Sequence, residues 1–413
     1  MTDKIKRLVA DYHATAYMYQ KMLDYYNGKH DILNTYRYEE NRANNKTVIN
    51  YIQKFVEEEL SYTLGNPISY ISKSGNENIV NDIDYSLYHW QTTHNQELCR
   101  QLEIFGIAYE LYYINHSGEF CSRILNPTNS ICYTDTDNIP QIFIHFYKLK
   151  YDDSEYYDVY YRDKIEIYKD NTLQSTKKHI FSGVPVSICS IGAEQTIYNK
   201  IKGLNDAYNL IASDQINIIS DYRNAYLTVT GATVDEETAD MLKIKGILNI
   251  PGGDAKVSWL IKNIDSSYID SMLKEIKNSM YSVCNHVDSQ ERLQSNISGT
   301  ALRSRLVFLE QRCKTVFDAV CDTVYDRLQF LFEYLVLKNK VYEWRDIVIN
   351  FNPNIPQDIE MMSRVITNVG DKISQETAIS LLGIAENPAN EIAKIKKERA
   401  ELEKIDLNKI HAV

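Results

Sequence analysis

An α+β fold built on antiparallel strands is what this 413-residue sequence predicts, and three observations carry the prediction. Apolar residues recur at helical spacing up to Phe105. From Ala108 to about residue 190 the chain breaks into short alternating, aromatic-rich segments divided by turn residues. Helical periodicity then returns at Tyr198 and persists, interrupted by one compact mixed stretch.

The helices come first. The run from Ile5 to Tyr26 is amphipathic, and Gly28 offers a stop. "NKTVINYIQKFVEEELSYTLGNPISY" predicts a helix from about Thr47 to Leu64, ended by Gly65 and Pro67 and followed by a short strand. A third helical run extends from about Asn78 to Phe105 and stops at Gly106. The segments "AYELYYI", "EFCSRIL", "QIFIHFYKLKY", "YYDVYYR", "KIEIYK" and "KHIFSGVPVSIC", spaced by turns such as "HSG" and "KDN", predict an antiparallel meander.

Next, residues 198–226 form a helix of moderate amphipathicity, and "LTVTGATVDEETADMLKIKGILNIPGGDAKVSWLI" places two strand-like ends around a short acidic helix and a "PGGD" turn. A further helix from about Ser267 to Val287 carries Ile269, Leu273, Ile276, Met280, Val283 and Val287 on one side, with Lys274 and Lys277 sharing another face. Polar "DSQERLQSNISG" then leads through Ser298 and Gly299 into a long helix whose stripe is Leu302, Leu306, Leu309, Cys313, Val316, Val320, Val324, Leu328, Leu331 and Leu335. At about 1.5 Å per residue that helix is on the order of 55 Å long, the length of a strut. A strand at "WRDIVINF", helices in "PQDIEMMSRVITNVG" and "SQETAISLLG", and a last helix capped by Asn387 and Pro388 complete the chain.

Composition narrows function. With 44% hydrophobic and 24% charged residues the chain is an ordinary folded protein of two or three domains. A net charge of −11 and a pI near 5.4 argue against wrapping nucleic acid by whole-surface attraction, so any contact with DNA is expected to be local or sliding. No signal-like apolar region and no run of about 18 apolar residues is present, so neither secretion nor membrane spanning is expected. Seven scattered cysteines without a CxxC pair suit reduced thiols. The 32 tyrosines fit a large interface or an AT-rich coding sequence, and the second also explains the abundance of Asn, Ile and Lys.

No catalytic, cofactor or metal site is predicted. His89, His94, Cys99, His116 and Cys121 match neither one helix face nor a zinc spacing. Gly252 and Gly253 belong to no phosphate-binding fingerprint. The acidic group Asp235, Glu236, Glu237 and Asp240 has no partner histidine and reads as a solvated helix start.

The order of these elements, and the phrases "YYNGKHDI", "NKTVINYIQKFVEEELSYTLGNPISY", "FGIAYELYYI", "GLNDAYNLIASDQINII", "ISGTALRSRLVFLEQRCK", "INFNPNIPQD" and "GDKISQETAISLL", resemble the portal proteins of tailed bacteriophages, in the branch typical of phages of Gram-positive bacteria. The likeness runs from roughly residue 20 to residue 400. It implies a dodecameric ring at one capsid vertex, a channel for packaging and ejecting double-stranded DNA without sequence specificity, and docking of the terminase large subunit and a head-to-tail adaptor, with major capsid and scaffold proteins as further partners. The protein would be assembled in the bacterial host cytoplasm and reside in the virion. No cofactor or enzymatic activity is implied. The alternatives are another ring-forming phage neck or scaffold protein, or a packaging-associated nuclease.

Carried onto this sequence, the portal-type fold implies a wing region over 1–199, a first stem helix over 200–226, a clip over 227–263 and a second stem helix over 264–287. A tunnel loop would occupy 288–298, the long wing helix and strand 299–357, and a helical crown 358–413. The DNA-facing loop residues would be Asp288, Gln290, Glu291, Arg292, Gln294 and Asn296, hinged at Ser298 and Gly299. Lys274 and Lys277 would line the channel, and Asp235, Glu236 and Glu237 would contribute to a clip interface.

Overall fold

The apolar stripe of the long helix decides where the main core lies. In the computed structural model, which describes residues 2–35, 43–65, 67–221, 226–231, 256–260, 266–288, 299–350, 359–382, 391–392 and 394–399, the elements follow the predicted α+β order. Helices α1 (Asp3–Tyr26), α2 (Ile32–Thr35) and α3 (Tyr51–Leu64) lead to strand β1 (Ser69–Ser72) and helices α4 (Glu77–Leu87) and α5 (His94–Phe105). Strands β2 (Ile107–Ile114), β3 (Phe120–Leu125), β4 (Ser130–Thr134), β5 (Pro140–Tyr147), β6 (Tyr156–Tyr160), β7 (Lys164–Lys169), β8 (Thr172–Lys178) and β9 (Val186–Ser190) follow. Then come α6 (Ile197–Asp221), β10 (Tyr226–Thr230), β11 (Lys256–Leu260), α7 (Ser266–Val283), α8 (Gly299–Leu337), β12 (Ile347–Asn350), α9 (Ile359–Val369) and α10 (Gln375–Leu382). The chain divides into two units, one of Met1–Leu23, Lys54–Lys200 and Asn285–Val413, the other of Asp24–Gln53 and Ile201–Cys284.

In the first unit, α8 runs for 39 residues, about 58 Å at 1.5 Å per residue. The predicted stripe from Leu309 to Leu335 is buried along its whole length, with Val316, Val320, Val324, Leu328 and Leu331 fully inaccessible. It packs on Leu98 and Leu102 of α5, Ala108 and Tyr112 of β2 and Cys189 of β9. β1 and β12 pair antiparallel, Tyr70 opposite Ile349, so residues about two thirds of the chain length apart close one edge of this core.

The meander is real for β4–β8, an antiparallel five-stranded sheet in sequence order, but β9 returns to pair with β2 in a separate sheet of order β3-β2-β9. Helix α1 buries Ile5, Leu8 and Val9 against Ile142, Ile144, Phe146 and Val159 of the larger sheet, and Tyr12 stacks on Phe146 with ring centroids 3.8 Å apart. Tyr109, Leu111, Phe143, Tyr160 and Val186 fill the space where strands of the two sheets meet.

Gly106 shows why the third helical run must stop where it does. Its φ of +73° is left-handed, its N–H caps Leu102 O at 2.7 Å, and a Cβ would lie 2.5 Å from Gly192 O. Its own carbonyl accepts from the N–H groups of Ile191 and Gly192.

Four boundaries differ from the sequence reading, the first being that Tyr226, expected to end a helix, opens strand β10. The run expected over 78–105 is two helices, because the chain turns at Trp90, whose indole N–H donates to Phe120 O at 3.0 Å and whose ring lies against the Arg327 guanidinium. Helix α3 begins at Tyr51 rather than Thr47, since Asn50 accepts from Gln53 N as an N-cap and the preceding N–H groups are engaged elsewhere. Helix α7 ends at Val283, before Asn285 adopts a left-handed φ of 60°. The last predicted helix, with its Asn387 cap and Pro388, begins outside the described residues, although 394–399 are helical.

Candidate functional site

The second unit is organised by a buried polar stripe on α6. Asn205, Asn209, Ser213 and Asn217 recur every fourth residue of α6, and all four are buried. Residues 43–50 run alongside, and alternate backbone N–H groups dock onto the stripe. Tyr51 N donates to Asn205 Oδ1 at 3.1 Å, Ile49 N to Asn209 Oδ1 at 2.8 Å, Thr47 N to Ser213 Oγ at 2.9 Å and Asn45 N to Asn217 Oδ1 at 2.5 Å. Two of the amides also return a bond: Asn205 Nδ2 donates to Ile49 O at 2.8 Å and Asn217 Nδ2 to Asn45 O at 3.2 Å.

The geometry explains the spacing. Four helical residues rise about 6 Å and two extended residues about 6.7 Å, so the two periods stay in step over four rungs. Asn209 Nδ2 donates to His30 Nδ1 at 2.8 Å, which leaves the His30 Nε2–H to donate to Tyr25 O at 3.1 Å; burial lowers the His30 pKa and favours this neutral form. Lys202 joins Asp31 and Asp206 at 3.1 and 2.6 Å, and Tyr25 donates to Asp206.

Beyond α6 the chain forms β10, and β10 pairs with β11 from Tyr226 opposite Leu260 to Thr230 opposite Lys256. The intervening segment is therefore closed by its own two ends, as the strand-like termini predicted. Helix α7 is the next described element. Tyr51 links the two helices, its ring lying edge-on to Tyr208 of α6 and Tyr281 of α7 at centroid distances of 5.4 and 6.2 Å.

Among the expected site residues, Lys274 is exposed on α7, whereas Lys277 is half-buried with its ammonium 5.7 Å from the Tyr281 ring centroid. Asp288 is half-buried, and Gly299 is the first residue of α8. Gln290, Glu291, Arg292, Gln294, Asn296 and Ser298, and the clip residues Asp235, Glu236 and Glu237, lie outside the described residues.

The first unit holds two buried charge clusters, of which one ties helices to a strand and the other ties helices together. Glu110 of β2 accepts both Arg327 Nε and Nη2 at 2.9 Å, and His94 and Ser122 join it at 2.9 and 2.8 Å. Burial pushes the Glu110 carboxyl up, but Arg327 and His94 outweigh it and hold the group near pKa 2. Ser122 and Glu110 both meet the same His94 nitrogen, Nε2, so the trio is not the relay a nucleophilic serine needs. The second cluster gathers Glu58, Glu59, Glu103, His286 and Arg312. His89 meets Cys121 at 3.3 Å, and no group of three metal-ligating side chains is found among the described residues. All seven cysteines are free thiols, and no described helix is long and apolar enough to cross a membrane.

The described elements form a mixed α and antiparallel β fold, the fold class the sequence predicted. The sequence matches the family described as phage portal protein, SPP1 Gp6-like, over residues 5–404, and the chain belongs to that family. The portal protein of Bacillus phage SPP1 is 22% identical over 405 residues, an alignment covering 87% of this chain and 77% of that protein. Two solved structures are also similar: the neck of an empty GTA particle computed with C6 symmetry and the virion of a native gene transfer agent particle. Each has a TM-score of 0.46, at 10% and 11% identity, covering 81% of this chain and 90% and 89% of the matched chains.

Proposed function

We propose that copies of this chain form a dodecameric ring at one vertex of a phage capsid, through which double-stranded DNA enters and leaves. The observation that carries the reading is the family match across residues 5–404, which spans both units and the segment between β10 and β11. The role is structural rather than catalytic. In this reading α6 and α7 are the stem around the channel, the segment closed by β10 and β11 is the clip that docks the terminase large subunit and then a head-to-tail adaptor, and α8 is the strut of the wing. Major capsid and scaffold proteins are further partners of the ring.

The electrostatics suit sliding. Each chain carries a net charge of −11, and tight phosphate binding would stall a moving duplex, whereas an isolated ring of ammonium groups keeps it centred. Rotational symmetry would turn the exposed Lys274 into such a ring, with Lys277 beside it and Asp288, Gln290, Glu291, Arg292, Gln294 and Asn296 on the tunnel loop hinged at Ser298 and Gly299. Asp235, Glu236 and Glu237 would face the docked partners.

A packaging assay tests this. Particles assembled with Lys274→Glu should form heads of normal shape but package DNA several-fold less efficiently, and heads assembled without the chain should contain none. Normal DNA content in heads lacking the chain would overturn the reading.

A further inference from the structure

We propose that His286 is a proton-operated clamp: its imidazolium, gripped through both ring nitrogens by Glu58 and Glu59, fixes residues 285–288 against α3, and loss of the proton releases them. The clamp depends on side chains within one chain and stands apart from the ring reading.

The geometry carries the inference. Nδ1 lies 2.9 Å from Glu58 Oε2 and Nε2 lies 3.0 Å from Glu59 Oε1. An ionised carboxylate only accepts, so two such contacts require a hydrogen on each ring nitrogen, which only the imidazolium has. The ring is 1% exposed and stacks on Phe55 with centroids 4.2 Å apart, so water does not stand in for a lost bond.

Each carboxylate is shared rather than saturated. Glu58 offers Oε1 to Lys54 and Oε2 to His286; Glu59 offers Oε2 to Arg312 at 3.2 Å and Oε1 to His286. Arg312 of α8 also reaches Glu103 of α5 at 3.2 Å. The charged groups around the imidazole are therefore Lys54, Glu58 and Glu59 from α3, Glu103 from α5 and Arg312 from α8. Burial pushes the Glu103 carboxyl well up, and the neighbouring Glu59 adds to this. The arrangement is unlike that of an ordinary buried histidine such as His145, which burial drives down to about 4.

The sign follows. Burial disfavours the His286 charge, but the hydrogen bonds to Glu58 and Glu59 outweigh it and raise the pKa above the ordinary 6.5. The clamp is thus fully closed below pH 6.5 and opens only as pH rises through the raised value. Once the proton leaves, a lone pair on the buried ring faces a carboxylate oxygen about 3 Å away.

Hydrogen–deuterium exchange at the imidazole Cε1–H, followed by mass spectrometry on the intact protein from pH 5 to 10, reads this ionisation directly. The His286 peptide should show a midpoint above 6.5 that falls in Glu58→Gln, a substitution of a half-exposed side chain. Backbone exchange over 285–288, corrected for intrinsic rates, should accelerate at least tenfold across the wild-type midpoint and show no such step in His286→Gln. A midpoint at or below 6.5, or one that Glu58→Gln leaves in place, would overturn the clamp even if His286→Gln fails to fold.

Discussion

Asn209 accepts the backbone N–H of Ile49 at 2.8 Å, an inner rung of a ladder in which one helix satisfies the main chain of a neighbouring segment through side chains alone. Asn205, Ser213 and Asn217 supply the other rungs. Main-chain donors are usually satisfied by main-chain acceptors, so a run held this way depends on every one of these side chains being present.

Replacing Asn209 by Ala leaves the Ile49 N–H and His30 Nδ1 without partners. Chemical denaturation should show a loss of about 1–3 kcal/mol, the penalty for a buried group left unsatisfied. Asn205→Ala should cost a similar amount. Leu210, exposed on the same helix, serves as the control, and Leu210→Gln should change stability little.

Arg327 and Glu110 form a fully buried, bidentate pair. Arg327→Met alone strands a buried carboxylate and should cost about 3–5 kcal/mol. Adding Glu110→Gln removes the stranded charge and should recover part of that loss. A double-mutant cycle on denaturation midpoints measures the coupling.

Asp326 of α8 is pushed up to about 6 by burial, with Asp322 and Glu110 adding to it and Ser187 opposing. A carboxyl whose folded pKa exceeds its unfolded value binds its proton more tightly when folded, so its contribution to stability declines as pH rises from about 4 to about 6. Asp326→Asn should therefore stabilise the protein above pH 6 by roughly 2–3 kcal/mol, one pKa unit being worth about 1.4 kcal/mol. The advantage should vanish near pH 4, as thermal melts at both pH values would record.

Gly106→Ala places a Cβ against the backbone at Gly192 and Ala193 while φ is held at +73°. The left-handed strain and the overlap together should cost about 2 kcal/mol or more. Gly118, whose φ is +76° with open space around it, isolates the strain contribution alone.

Much of the fold was legible because burial follows periodicity. The stripe on α8 could be read residue by residue, since an unbroken 39-residue helix repeats one pattern, and the alternating strands of β4–β8 were equally clear. Pairings across long separations were not: β1 with β12, and β9 with β2, depend on tertiary closure that a local pattern does not encode. The Asn ladder escaped because a buried polar stripe lowers amphipathicity, and α6 looked only moderately amphipathic, yet its signal was present as Asn, Asn, Ser and Asn at four-residue intervals. His286 escaped for a different reason. A lone histidine gains meaning only from Glu58 and Glu59, which lie more than two hundred residues earlier.

The ring is the central claim, and imaging of assembled particles without imposed symmetry tests it most directly. The account predicts twelve copies of the 48.0 kDa chain in one closed ring around an open channel at a single vertex. A chain distributed over every vertex, present as a single copy, or missing from the particle would contradict it.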